Sequence, residues 1–304
     1  MDCIWQSRFC LVVCNFSYTS NRTHRTIMGK LSVIEIVCSE ASAAKARIAI
    51  FDFDGTLSLI RSGWMDVMLP LCVEQLDATN SGEPAAQLRG VAEEFIWRLT
   101  GKETIYQMMA LADAVRERGG TPLEPRMYKE MYLERLLQKI SGRLESLREK
   151  RVEPERYMVP GSRQLLESLV AQGLCLYLAS GTDDLNVKEE ANLLHLSQYF
   201  EGRIYGAQDD LRSFSKALLV QQILSKADTC AEELIVFGDG YVEVEEVKKV
   251  GGTAVGVATA EPDCLHTDKW KRERLIKAGA DFILPNYLEL DNLLSTVFSA
   301  QKIQ

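Results

Sequence analysis

Asp52 and Asp54 stand two positions apart at the end of the apolar run Ile48-Ala49-Ile50-Phe51, and Gly55 and Thr56 follow them. In extended backbone both carboxylates point to the same side, roughly 6–7 Å apart, while Phe51 and Phe53 turn the other way into a core. Two ionised carboxylates so placed repel each other, so a shared proton or a bound cation is expected. A hard divalent ion such as Mg²⁺ takes one or two carboxylates together with a phosphate oxygen, which suits phosphoryl chemistry. The plainer reading is an acidic strand-to-turn junction, since Asp and Gly are common turn residues.

Further reactive groups end or begin elements later in the chain. Ser180 and Gly181 follow the apolar run Leu174-Cys175-Leu176-Tyr177-Leu178-Ala179. Lys216 opens a helical stretch, and Asp239 sits in Gly238-Asp239-Gly240 after Leu234-Ile235-Val236-Phe237. Taken singly, Ser-Gly-Thr is a common helix N-cap, a lysine is commonly a surface charge, and Gly-Asp-Gly is a turn. Fully apolar strands alternating with helices predict a parallel doubly wound sheet, an α/β fold. Such a sheet gathers ligands at the carboxyl ends of its strands, where these groups lie.

The elements that must position them are legible in outline. Apolar residues at three- and four-residue spacing predict helices over Gly63–Leu76, Ala85–Leu99, Glu103–Arg118 and Arg126–Glu149. They are separated by Ser81-Gly82-Glu83-Pro84, Thr100-Gly101-Lys102 and Gly119-Gly120-Thr121-Pro122. A strandless stretch inside an α/β pattern predicts an inserted all-helical subdomain over residues 61–156, with the core formed by 46–60 and 157–304. Beyond Tyr157 further strands are expected over 203–205, 253–257 and 281–284, and helices opening at Pro160-Gly161-Ser162 and over Asp184–Leu194, 216–225, Val242–Val250 and Trp270–Ala278. Residues 1–45 read as an N-terminal extension, partly disordered, in which Leu31–Val37 adds a short strand or hairpin arm. Its first 27 residues read as a disordered segment or an over-long gene model. The sequons at Asn15 and Asn21 read as chance matches, because the apolar piece Phe9–Cys14 is too short for a secretion signal.

A net charge of −8 argues against nucleic acid or an anionic membrane as the partner, since both need a basic surface. No apolar run approaches the roughly 20 residues of a membrane-spanning helix. Eight cysteines without a Cys-x-x-Cys pair, beside three histidines, argue for free thiols in a reducing, cytoplasmic setting and against a zinc site. The oligomeric state is not legible.

In this order the motifs resemble the haloacid dehalogenase superfamily. Phe51-Asp52-Phe53-Asp54-Gly55-Thr56 matches its first motif, Ala179-Ser180-Gly181-Thr182 the second, Lys216 the third, and Gly238-Asp239-Gly240-Tyr241-Val242-Glu243 the fourth. The helical insertion is similar to the caps of the phosphoglycolate phosphatase and β-phosphoglucomutase branch. The resemblance implies a strand order 5-4-1-2-3 with Ile48–Phe51 central. It also implies a Mg²⁺-dependent phosphatase acting on a small phosphorylated metabolite, a sugar phosphate or phosphoglycolate-like acid, through an aspartyl phosphate. Asp52 is then the nucleophile and Asp54 the general acid and base, whose presence separates ester hydrolysis from dehalogenation. Ser180, Gly181 and Lys216 hold the phosphoryl group. Asp52, Asp54 through its main-chain carbonyl, Asp239 and Glu243 form the metal site. Glu243 departs from the usual Asp and would serve through a metal-bound water or by orienting Lys216. Thr56, Arg61, Trp64, Lys102 and Gln107, with Arg156, are candidates to face the substrate. The alternatives are a phosphomutase of the same fold and a non-catalytic binding protein that retains it.

Overall fold

The computed structural model describes residues 33–208, 215–226 and 229–299. The expectations for residues 1–27, including both sequons, lie outside them. The strands are β1 (Glu35–Ile36), β2 (Ile48–Phe51), β3 (Cys175–Asp183), β4 (Ile204–Ala207), β5 (Leu234–Gly238), β6 (Thr253–Val257) and β7 (Phe282–Leu284). They form one sheet in the order β1-β7-β6-β5-β2-β3-β4. The strands from β7 to β4 run parallel, and β1 closes one edge antiparallel to β7. Within this sheet β6-β5-β2-β3-β4 is the expected 5-4-1-2-3 order. The short arm foreseen around Val37 is β1.

β2 is central because all four of its residues are apolar and buried. Successive side chains of a strand face opposite sides. Ala49 and Phe51 accordingly join one apolar layer with Leu165 and Leu166 of α5 (Ser162–Ala171) and Val187 of α6 (Asp184–Leu193). Ile48 and Ile50 join the other with Leu219 and Val220 of α8 (Lys216–Lys226) and Val244 and Val247 of α9 (Tyr241–Val250). Phe51 stacks on Phe237 with ring centroids 4.8 Å apart and meets Phe200 edge-on at 6.3 Å. These buried rings, of which Phe51 is next to Asp52 in the chain, add a large apolar contact area at the end of the strand.

Helices α1 (Met65–Asp77), α2 (Ala85–Leu99), α3 (Thr104–Glu117) and α4 (Pro125–Arg148) lie between β2 and β3 in the chain. They bury Met68, Leu71, Ile96, Met108, Leu111 and Ile140 in the same apolar layer as Phe51. β3 runs on through Ser180–Asp183, where a helix cap was the plain expectation; its pairing with β4 shifts register between Ala179 and Asp183. Two helices were not foreseen. α7 (Ser197–Phe200) is one turn, too short for a 3.6-residue period to register. α11 (Leu290–Val297) does carry Leu290, Leu293, Leu294 and Val297 at helical spacing. The remaining helix, α10 (Lys269–Lys277), follows β6. Among the described residues no helix is long and apolar enough to cross a membrane.

Candidate active site

Strand register assembles the site. Phe51 pairs with Leu178 on one side and Phe237 on the other, so Asp52, Ser180 and Asp239 emerge at one edge of the sheet. Lys216, the first residue of α8, reaches the same point. Its ammonium donates to Asp52 Oδ1 at 2.7 Å and to Glu243 Oε2 at 2.8 Å, and all three side chains are buried. Burial alone would lower the lysine pKa, but the two carboxylates outweigh it and hold Lys216 well above the ordinary range. Asp52 moves the other way from a simple ion pair: burial pushes its pKa up, and Glu243 and Asp239 add to this against the pull of Lys216.

Glu243 lies in the first turn of α9, where a carboxylate complements the helix dipole. Its Oε1 accepts from the Gly240 N–H at 2.8 Å. A β-carbon on Gly238 would stand 2.2 Å from the same oxygen, so only glycine leaves room for the longer acid. Of the two roles open to Glu243, its contacts match the orientation of Lys216. Glu246 pairs instead with Lys249 at the surface.

Asp239 is fixed from two sides. Its N–H donates to Thr56 Oγ1 at 2.9 Å, and the Tyr287 hydroxyl donates to Thr56 O at 3.1 Å. Gly55, at φ +75°, passes so close that a β-carbon there would lie 2.2 Å from Asp239 Oδ2. Thr56 is thus fully buried and ties the loop after β2 to the loop after β5. This corrects the expectation of a substrate contact: its hydroxyl is spent on a backbone bond. Lys271 of α10 pairs with Asp239 Oδ2 at 2.9 Å and with Glu261 at 3.5 Å. The sequence reading missed Lys271. Its place one turn into a helix that follows a strand's carboxyl end was the available signal.

Asp54 faces away from this group. Its Oδ2 accepts from the hydroxyls of Thr182 at 2.7 Å and Ser180 at 3.3 Å, while its Oδ1 is buried without a hydrogen-bond partner. Arg61 Nε is 4.0 Å from that oxygen. Burial pushes the Asp54 pKa up, opposed first by Arg61 and then by Thr182. Arg61 is itself clamped by Glu190 of α6, with Nε and Nη2 donating at 3.0 and 2.7 Å to Oε1. No local pattern marks Glu190, which falls in a helix of ordinary composition.

These groups surround a cleft of about 130 Å³, room for several water molecules. Asp52, Asp54, Ser180, Gly181, Lys216 and Asp239 line it from the sheet side, and Arg61, Trp64, Lys102 and Gln107 also reach it. Thr104 and Tyr132 line it as well and were not foreseen. Arg156 is exposed and outside the cleft, because the short 3₁₀ turn at Pro154–Tyr157 directs it to solvent.

Carboxylate oxygens of Asp52, Asp239 and Glu243 all lie within 4.8 Å of one another, a hard-oxygen set of the kind that takes Mg²⁺. Both Glu243 oxygens already accept hydrogen bonds, so Asp52 and Asp239 are the pair that fits an ion. The Asp54 carboxylate is not in this group.

The model of the haloacid dehalogenase-like hydrolases matches residues 46–251. The chain belongs to that family. No curated protein matches it by sequence. Among solved structures, a hydrolase from Pseudomonas syringae shares 22% identity at a TM-score of 0.55, covering 83% of this chain and 100% of that one. A haloacid dehalogenase-like protein of unknown function from Agrobacterium tumefaciens shares 19% at 0.54, covering 82% and 98%. A predicted phosphoglycolate phosphatase from Haemophilus somnus shares 16% at 0.53, with the same coverage. At these identities the likeness to all three is one of fold.

Proposed function

We propose that this hydrolase is a Mg²⁺-dependent phosphatase that acts on a small phosphorylated metabolite through phosphorylation of Asp52. The observation that carries this reading is the buried Lys216 ammonium, held between Asp52 and Glu243, in a cleft also lined by Asp54, one of whose oxygens has no hydrogen-bond partner. An Asp52 carboxylate oxygen attacks phosphorus, the bond to the leaving oxygen breaks, and Asp54 delivers a proton to that oxygen. Asp54, now ionised, takes a proton from water as the water oxygen attacks the aspartyl phosphate. Inorganic phosphate leaves and Asp52 is restored. The raised pKa of Asp54 favours the protonated form that the first step uses. Lys216 offsets phosphoryl charge in a site sheltered from water, and Ser180 and the Gly181 backbone grip the phosphoryl oxygens. Asp52, Asp239 and the Asp54 main-chain carbonyl would hold Mg²⁺, which when bound supplies further positive charge to the phosphoryl group.

Residues 61–156 act here as a cap over the leaving group and residues 46–60 and 157–304 as the catalytic core. The five described cysteines are free, which fits a reducing, cytoplasmic setting. The test is phosphate release from a panel of phosphorylated metabolites with Mg²⁺ and with chelator. Asp52→Asn and Asp54→Asn are expected to keep the wild-type circular dichroism and lose at least about 100-fold in kcat. Wild-type turnover by Asp52→Asn would end the reading.

A further inference from the structure

The side of the cleft facing Asp54 carries an unusual charge balance. Among its described lining residues the cations are Arg61, Lys102 and Lys216. Lys216 is engaged by Asp52 and Glu243. Lys102 is exposed, so an anion held there sits in water and is screened. Arg61 alone is both buried and next to Asp54, and Glu190, itself 2% exposed, occupies it with three hydrogen bonds of 2.7–3.2 Å.

We infer that Glu190, by cancelling the charge of Arg61 beside Asp54, tunes the cleft to a neutral hydroxylated leaving group and against one bearing a carboxylate or a second phosphate. This rests on the phosphatase reading and narrows its substrate class. The leaving oxygen must meet Asp54 Oδ1, which lies 4.0 Å from Arg61 Nε. Substituents on the first carbons of the leaving group therefore come up against the Arg61–Glu190 pair. A carboxylate there would have to share one guanidinium with a buried carboxylate, a like-charge contact that the site builds in against it. Apart from Arg61, the exposed Lys102 and the charged groups on the sheet side, the remaining lining residues carry no charge. Gln107 is fixed by its Nε2 bond to Ile96 O at 3.2 Å, so its amide oxygen is an acceptor for a hydroxyl and repels a carboxylate. Thr104 and Tyr132 add hydroxyls, and Trp64 adds an apolar face. A polyol monophosphate matches this set, and it leaves no buried charge unpaired.

The experiment compares glycerol 3-phosphate with 3-phosphoglycerate, which share a carbon skeleton and differ by hydroxymethyl against carboxylate. Each is measured as a Mg²⁺-dependent substrate and as a competitor of p-nitrophenyl phosphate turnover. Glycerol 3-phosphate is expected to be favoured by about tenfold or more in kcat/KM or in inhibition constant. Glu190→Gln, which frees Arg61, is expected to narrow that ratio or invert it. Equal or better use of 3-phosphoglycerate by the wild type overturns the inference even if Glu190→Gln does not fold. Absence of turnover with all three esters would instead sink the phosphatase reading, and the inference with it.

Discussion

Replacing Glu243 by Gln keeps its shape and removes its charge. In the native site Oε2 accepts from Lys216 at 2.8 Å while Oε1 accepts from the Gly240 N–H at 2.8 Å. A glutamine has one acceptor and one donor end, so its NH₂ must face either the ammonium or the amide N–H. Two unit charges at this separation attract by about 6 kcal/mol at an effective dielectric near 20. The net loss is smaller, because Lys216 keeps Asp52. Breaking a buried ion pair at one partner costs about 3–5 kcal/mol, and the retained bond places Glu243→Gln at about 3 kcal/mol. Urea unfolding followed by circular dichroism reads this directly as a lower midpoint at unchanged slope. Turnover should fall alongside, since the ammonium loses one of the two contacts that aim it. A stability change below about 1 kcal/mol would show that Lys216 does not depend on Glu243, and the account of the departed fourth motif would fail.

The segment after α2 and the helical layer offer two further predictions. Arg274 donates to the carbonyls of Trp97, Arg98 and Thr100 and lies over the Tyr241 ring at 4.4 Å, so it caps α2 from the sheet side. Arg274→Ala should speed amide exchange at Thr100–Lys102 and raise KM more than it lowers kcat; unaltered exchange there would contradict the capping role. Glu74 and Arg135 clamp α1 to α4 with bonds of 2.9 and 2.8 Å, and the Arg135 hydrogen bond foremost holds the Glu74 pKa below its ordinary value. A depressed folded pKa stabilises above the unfolded value and is lost as pH falls through the folded one. The Tm gap between wild type and Glu74→Gln should therefore close in acid. Both groups are half-exposed, so the gap corresponds to at most about 1 kcal/mol and shrinks in salt; a gap that persists at pH 2 would refute the assignment.

Much of the fold was legible because it follows from local pattern. An all-apolar tetrapeptide such as Ile48–Phe51 has no polar face to leave in water, and the register of its neighbours then brings Asp52, Ser180 and Asp239 to one edge. What escaped the sequence is of two kinds. Glu190 lies in a helix of ordinary polar composition with its partner 129 residues away, so nothing nearby in the chain marks it; Lys271, whose partner is 32 residues away, offered only its place near the start of a helix. Thr56 misled for another reason. Its position beside two reactive acids suggested the cleft, whereas the tight turn at Gly55 sends its hydroxyl inward to the Asp239 N–H.

The pairing of charges around the cleft has a consequence for folding. Asp52 and Glu243 share Lys216, Asp239 has Lys271 and Glu190 has Arg61, so three internal cations offset most of the charge of these four carboxylates. An acid cluster offset in this way does not need an ion in order to fold, unlike a structural metal site whose binding energy is folding energy. At an ion concentration equal to its Kd, binding adds only about 0.4 kcal/mol. Chelation should then abolish phosphate release while the unfolding midpoint stays within about 1 °C of its value in Mg²⁺. A large drop in that midpoint on chelation would mean that the lysines do not offset enough of the cluster's charge, and that Asp52 and Asp239 depend on the ion for their place in the fold.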